Sequence, residues 1–352
     1  PPLEWSTTKN VVWKKPMPGP SNSIPVLLGD RIFICSEPCM LLCLHKADGR
    51  ILWQKNSSVD ELDLAPEVRA KLKLEQAEAA RLDKQISALG REAESLRKKL
   101  KENPATKGEM DKQLIELQGK AESLKEQKKK LTLAAHYTER GKQPTAGYSS
   151  PTPATNGKEV FVAFGNGLIA CFNLDGKRQW PKLIEQSTAP FAHSNSPVLV
   201  GDKVLIHFAD LVALNVKNGA EVWRLKKAPM HGTPVLSRIG SDDVVVTPHG
   251  MIVSVKDGTV LAEGLGVCGA NSPILHDGVV YFVRGGATAV QLPQALSQAA
   301  KLQLLWKGKV KGGGYWFPSP VLHDGLLYAI DDRGIVSVLE AKSGQLVYEE
   351  RI

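Results

Sequence analysis

The chain lacks any uninterrupted apolar run approaching the roughly 18 residues that a membrane-spanning helix needs, so no membrane span is expected. It also lacks a basic opening segment followed by an apolar stretch. Pro1-Pro2-Leu3-Glu4-Trp5 is neither, which leaves a cytosolic protein or one whose signal has been removed. Five cysteines, Cys35, Cys39, Cys43, Cys171 and Cys268, form no CxxC pair, no CxxCH haem attachment and no adjacent pair, so zinc and haem chemistry have no support. Cys35 and Cys43 flank an expected hairpin tip and could approach each other, but buried free thiols are the simpler reading. The eight histidines show no HExxH or other close spacing suited to zinc. Lys311-Gly312-Gly313-Gly314-Tyr315 lacks the order of a phosphate loop and precedes a strand. No Ser/His/Asp arrangement is defensible either, and no metal or catalytic residue is assigned.

What is present is the composition of a globular protein: 352 residues, 42% hydrophobic, 23% charged, enough to bury a large core. The net charge is +8, but much of the lysine lies in one helical segment and elsewhere the charges are mixed, so no nucleic-acid partner is expected.

Two short signatures recur. One is a small or polar residue, a proline, a few apolar residues, a Gly or Asp-Gly turn and a β-branched run. It appears at Ile24-Pro25, Thr152-Pro153, Ser196-Pro197, Thr233-Pro234, Ser272-Pro273 and Ser319-Pro320, and reads as two strands with a tight turn. The other is an apolar strand, a Gly-containing turn and a strand ending in an aromatic. It runs from Leu42 to Trp53, Cys171 to Trp180, Ala213 to Trp223, in degenerate form Val253 to Ala262, and Val338 to Tyr348, while Trp306 ends a unit with an irregular turn. The later prolines are 44, 37, 39 and 47 residues apart, the period of a four-stranded propeller blade.

From Trp53 to Trp180 is 127 residues, about 85 more than one period allows. Within the excess, Val68, Leu72, Glu75, Ala79, Leu82, Ile86, Leu89, Ala93, Leu96 and Leu100 step by three and four. After a Pro/Gly turn at 103–108 the stepping resumes at Met110, Leu114, Leu117, Ala121, Leu124, Lys128, Leu131 and Ala135. This predicts two helices in an antiparallel coiled-coil hairpin, about 50 Å long at 1.5 Å per residue, whose Ala and Glu seam positions leave room for a partner helix. The expected organisation is a closing strand and first blade over 1–59, the hairpin over 60–141 and blades two to six over 142–352.

The stretches Leu44 to Trp53 and Leu214 to Trp223 have an AxDxxTGxxxW-like form, and in this they resemble the tryptophan-docking PQQ repeats of quinoprotein-like and BamB-like propellers. The resemblance covers roughly 1–56 and 142–352. It implies an all-β propeller of four-stranded antiparallel blades, six of them visible and part of an eight-bladed type, in which Trp13, Trp53, Trp180, Trp223, Trp306 and Tyr348 dock on the next blade. It also implies that Trp5 to Trp13 supplies the outer strand of a last blade, and that the protein works in a periplasmic or other extracytoplasmic space.

In such a propeller the residues preceding each innermost strand gather at the channel mouth. Asn22, Tyr148, His193, Asn195, His231, Asn271 and Trp316 hold those places and form the candidate ligand-binding set; alternatively they cap strands and satisfy turns. The hairpin is expected to leave from the same face, so both would meet one protein partner. A quinoprotein dehydrogenase would need a catalytic Asp, a calcium site and usually a vicinal disulfide. The adjacent pairs Asp242-Asp243 and Asp331-Asp332 read as turns instead. The reading is therefore a non-enzymatic scaffold without cofactor, the alternative being an oxidoreductase using pyrroloquinoline quinone and calcium.

Overall fold

The computed structural model describes residues 3–102, 107–138, 147–185, 193–226, 231–295, 302–310 and 314–352. Its strands form six four-stranded antiparallel sheets, each a simple meander in which sequence neighbours pair. Blade 1 spans 26–56, blade 2 154–183, blade 3 198–226, blade 4 235–262, blade 5 274–308 and blade 6 321–351. The repeat read from the sequence is thus a blade, and the fold is the expected propeller type.

Each sheet has a right-handed twist and two faces to cover. Along the second strand of blade 2, Val160 and Val162 point toward blade 1 and pack with Phe33, Cys35 and Leu41, while Phe161 and Ala163 point toward blade 3 and pack with Val204, Ile206 and Phe208. Both faces being buried, the inner strands read as unbroken apolar runs without polar alternation. Further clusters join blades 3 and 4, 4 and 5, and 5 and 6. Among the described residues no such cluster joins blade 6 to blade 1.

The aromatic ending the fourth strand serves as a fixed joint. The indole Nε1 of Trp53, Trp180, Trp223 and Trp306 donates to the backbone oxygen of Leu174, Val216, Val255 and Ala341 in the following blade, at 2.8–2.9 Å. The ring lies flat against a glycine of that blade's last turn. A Cβ on Gly176, Gly219, Gly258 or Gly344 would stand 2.3–2.7 Å from ring carbons, and all four have φ between +68° and +79°. Glycine is needed here twice, for the left-handed backbone and for the room. Blade 4 carries Ala262 at the aromatic position, and blade 5 has no glycine in the corresponding turn; there Leu261, Ala262, Leu292 and Leu302 close the gap with aliphatic packing.

The N-terminus departs from expectation. No strand forms among residues 3–25, and each of the six sheets draws its four strands from its own stretch of residues 26–351. Trp13 nevertheless donates to Lys46 O at 2.9 Å and covers Gly49, the same joint on the first blade. Tyr348, at the equivalent place in blade 6, is 47% exposed.

Residues Leu62–Arg140 form a separate compact unit. It holds α1 (Pro66–Glu102), α2 (Lys107–Lys129) and α3 (Thr132–Tyr137). Every seam residue read on α1 is shielded, with Leu72, Leu82 and Ala93 buried, and on α2 Leu117 is buried. Lys128 reaches Asp83 at 2.6 Å, fixing α1 and α2 as antiparallel. The expected second helix is interrupted at Lys130-Leu131, so the phase shifts by one and Ala134 is buried where Ala135 was expected. Glu75 explains the break: its carboxylate accepts Leu133 N and Ala134 N at 2.8 and 3.1 Å, so the polar seam position caps α3 and is filled from within the chain. The Pro/Gly turn lies partly outside the described residues, and Lys107 and Gly108 belong to α2.

The joint predicts an ordered mutant series. Gly219→Ala places a methyl against Trp180 in a left-handed turn and should cost several kcal/mol, on the order of other overpacked core sites. Gly201→Ala, also left-handed (φ +56°) but with open space around it, should cost about 1 kcal/mol. Trp180→Phe removes the bond to Val216 and should cost about 1–3 kcal/mol. Urea midpoints read by circular dichroism check the order.

Candidate functional site

Six residues precede the proline that opens each blade, and the proline holds each in extended backbone so that its amide points sideways. Ile24 N donates to Thr152 Oγ1, Thr152 N to Ser196 Oγ, Ser196 N to Thr233 Oγ1, Thr233 N to Ser272 Oγ and Ser272 N to Ser319 Oγ, all at 2.8–3.1 Å. The polar residue of the sequence signature is thus a hydroxyl acceptor for the preceding blade, and the five bonds make a belt along the inner strands.

The candidate ligand residues lie within a few positions of the belt residues in the chain, and none takes part in the five belt bonds. Tyr148, His193, Asn195, Asn271 and Trp316 are buried; His231 is partly exposed and Asn22 exposed. Asn195 Nδ2 donates to Gly232 O at 2.5 Å and Asn271 Nδ2 to Val283 O at 3.2 Å, so both amides hold segments in place. Tyr148 N donates to Glu37 Oε1 at 2.6 Å. His193 stacks on Phe208, with centroids 4.2 Å apart and planes at 9°. Trp316 turns inward beneath Gly269, whereas its neighbours Tyr315 and Phe317 are 71% and 51% exposed and stack at 5.7 Å. The surface aromatics here are therefore Tyr315 and Phe317, which flank Trp316 in the loop before the first strand of blade 6.

Three carboxylates near the turns between second and third strands were not singled out as a set by sequence. Glu37 Oε1 accepts Tyr148 N, Ser149 N and Ser149 Oγ within 2.8 Å. Glu185 Oε1 accepts Ala209 N and Asp210 N at 2.7 and 3.1 Å, with Arg224 3.9 Å from its other oxygen. Burial raises the Glu185 carboxyl above its usual range, and the two amide bonds oppose that. Asp331 Oδ1 accepts Arg333 N and Ile335 N, both at 3.0 Å, while Arg333 holds Oδ2. Asp332 accepts Tyr315 N at 2.9 Å. The Asp331-Asp332 pair is a turn, as its sequence suggested.

All five cysteines are free and buried. Register places Cys35 opposite Leu41 and Cys43 opposite Phe33, so the two do not face each other. Burial pushes their thiols up, to about 12 and about 11, which makes them poor nucleophiles.

Two buried imidazoles set a pH dependence. Burial lowers His193 to about 3 and His207 to about 4 from an ordinary 6.5, with neighbouring histidines adding to the effect. Neither has a hydrogen-bond partner for its Nε2 among the described residues. The unfolded chain binds protons at these sites below about pH 6.5 while the native chain does not, so stability falls on acidification from there toward pH 4. Each contributes up to about 1.4 kcal/mol per pH unit. His207→Leu should flatten the urea-unfolding free energy plotted against pH over that window; an unchanged slope would refute the assignment.

Comparison with known proteins agrees with this geometry. A PQQ-repeat family model described as outer membrane protein assembly factor BamB matches residues 124–293. Two curated BamB proteins are similar, from Yersinia pestis at 26% identity over 235 residues and from Moranella endobia (strain PCIT) at 25% over 235 residues. Each alignment covers 58% of this chain, and the chain spans 57% and 58% of the two relatives. The crystal structure of BamB from Moraxella catarrhalis superposes with a TM-score of 0.53 at 10% identity, over 94% of this chain and 76% of that one, a likeness of fold. With the indole-on-glycine joint repeated from blade to blade, these matches show a chain similar to PQQ-repeat, BamB-like proteins and a propeller in fold.

Proposed function

We propose that this chain is a non-enzymatic scaffold that binds protein partners through the belt face of its propeller and through its helical hairpin, in an extracytoplasmic space. The exposed, stacked Tyr315–Phe317 pair carries the reading. Aromatic pairs held rigidly at a surface supply large contact area at little entropic cost and are the usual anchors of protein interfaces. Tyr315 is rigid because its N donates to Asp332 Oδ1 and its O accepts Asp332 N, both at 2.9 Å. The relatives' name, an outer membrane protein assembly factor, supports a protein-binding role and an extracytoplasmic setting. No helix among the described residues is long and apolar enough to cross a membrane.

The oxidoreductase alternative would need a carboxylate free to act beside calcium, whereas Glu37, Glu185 and Asp331 each cap backbone amides of a neighbouring turn. Adding pyrroloquinoline quinone with calcium is expected to leave the absorbance spectrum unshifted and dye reduction at background. Stoichiometric binding of the quinone would overturn the scaffold reading.

For the positive test, the full chain is used as bait for cross-linking in native envelope, alongside Tyr315→Ala/Phe317→Ala and a form with 62–140 replaced by a short Gly/Ser bridge. The double variant alters exposed side chains and should shift stability by no more than about 0.5 kcal/mol. It is expected to lose most cross-linked partner, roughly tenfold or more. Capture unchanged in both altered forms would remove the basis for the proposal.

A further inference from the structure

Blade boundaries are copies of one joint, so a group present at one and missing at another identifies what an outside molecule would have to supply. At the boundary of blades 2 and 3 the Glu185 carboxylate is set over the Ala209 and Asp210 amides, 3.9 Å from Arg224, which also pairs with Asp210 at 3.0 Å and Glu221 at 2.8 Å. At the boundary of blades 4 and 5 the matching positions are Gly266, Gly285-Gly286 and Lys307.

Four features fix that correspondence. Ile184 N donates to Gly167 O and Leu265 N to Gly250 O, at 3.0 and 3.1 Å. A Cβ added to the left-handed Gly167 or Gly250 would collide with the backbone oxygen of Glu185 or Gly266 respectively. Phe208 N closes on Asp210 O and Arg284 N on Gly286 O, at 3.0 and 2.9 Å. In register, Arg224 opposes Val212 and Lys307 opposes Thr288.

At blades 4 and 5 the place that Glu185 holds is taken by a glycine with no room for a side chain, since a Cβ on Gly266 would stand 2.6 Å from the Phe282 ring. The cation is retained as Lys307, and a second, Arg284, stands where blade 3 has Phe208. Between them lies a cavity of about 290 Å³ lined by Val267, Phe282, Arg284, Gly286, Thr288 and Lys307. Among the described residues neither Arg284 nor Lys307 has an ion-pair or side-chain hydrogen-bond partner, and both are exposed.

We propose that this cavity takes a carboxylate from outside the chain, with Lys307 and Arg284 as its charge partners, the Gly285 and Gly286 amides as its donors, and Val267 and Phe282 against its aliphatic stem. The site stands on the repeat comparison and does not require the scaffold reading. A carboxylate with a short apolar stem is offered both by an acidic side chain of a protein segment and by a free small organic acid.

The test uses the full chain with glycine-selective ¹⁵N labelling, so that the cavity glycines report directly, titrated at low salt with N-acetylglutamate and with a blocked peptide bearing one Glu. Saturable shifts confined to a few glycine signals are expected. The dissociation constant should rise roughly tenfold in Arg284→Gln/Lys307→Gln, in line with two exposed charge contacts. Val267→Glu, which supplies a carboxylate from the cavity wall, should abolish the titration while leaving the thermal midpoint equal or higher. Comparable affinity for both probes identifies a free acid as sufficient; binding of the peptide alone identifies a protein segment. No saturable shift with either probe, equal binding of N-acetylglutamine, or an unchanged constant in the double variant would overturn the site.

Discussion

One contact organises this propeller: an indole lying on a left-handed glycine and donating its single N–H to a carbonyl of the next blade. Apolar packing between sheets is strong but non-directional. Two twisted sheets with Val, Ile and Phe faces could pack at several offsets. The Trp180 joint, for example, admits one offset, since the ring needs the space above Gly219 and its Nε1 needs the Val216 oxygen together. The hydroxyl belt at the inner strands fixes the opposite edge of each blade in the same way. Between these two edges the hydrophobic clusters need only fill volume.

That division explains why some features could be read directly and others could not. Proline, glycine and tryptophan act through backbone geometry and size, so their positions repeat visibly in the chain, and the blade boundaries follow from them. The α1 seam was equally plain because heptad spacing is local. The candidate site was less legible. His193, Asn195 and Trp316 are buried through contacts with Phe208, Gly232 and Gly269, 15 to 47 positions away, which no local pattern records. Glu37 and Glu185 were missed because a carboxylate capping amides across a blade boundary looks, in sequence, like any loop acid. The break before α3 was missed because Glu75 and Ala134 lie 59 positions apart.

Where the repeat is violated the structure shows matched losses. Blade 4 has no tryptophan and blade 5 no glycine to receive one, while aliphatic residues from both sides occupy the gap. The same boundary has Gly266 at the place of Glu185 and a cation, Lys307, opposite. Both differences lie on facing surfaces of two blades, where each repeat is stabilised by its contact with the next.

Every belt bond runs the same way, from the amide of one blade to the hydroxyl of the one after it, and the indoles of Trp53, Trp180, Trp223 and Trp306 reach in that direction too. Such a joint has a distinct head and tail. A quartet of strands could therefore be duplicated or exchanged within the series and still find the partner surfaces it needs, provided its orientation is kept. Inverted, it would confront donor with donor and ring with ring.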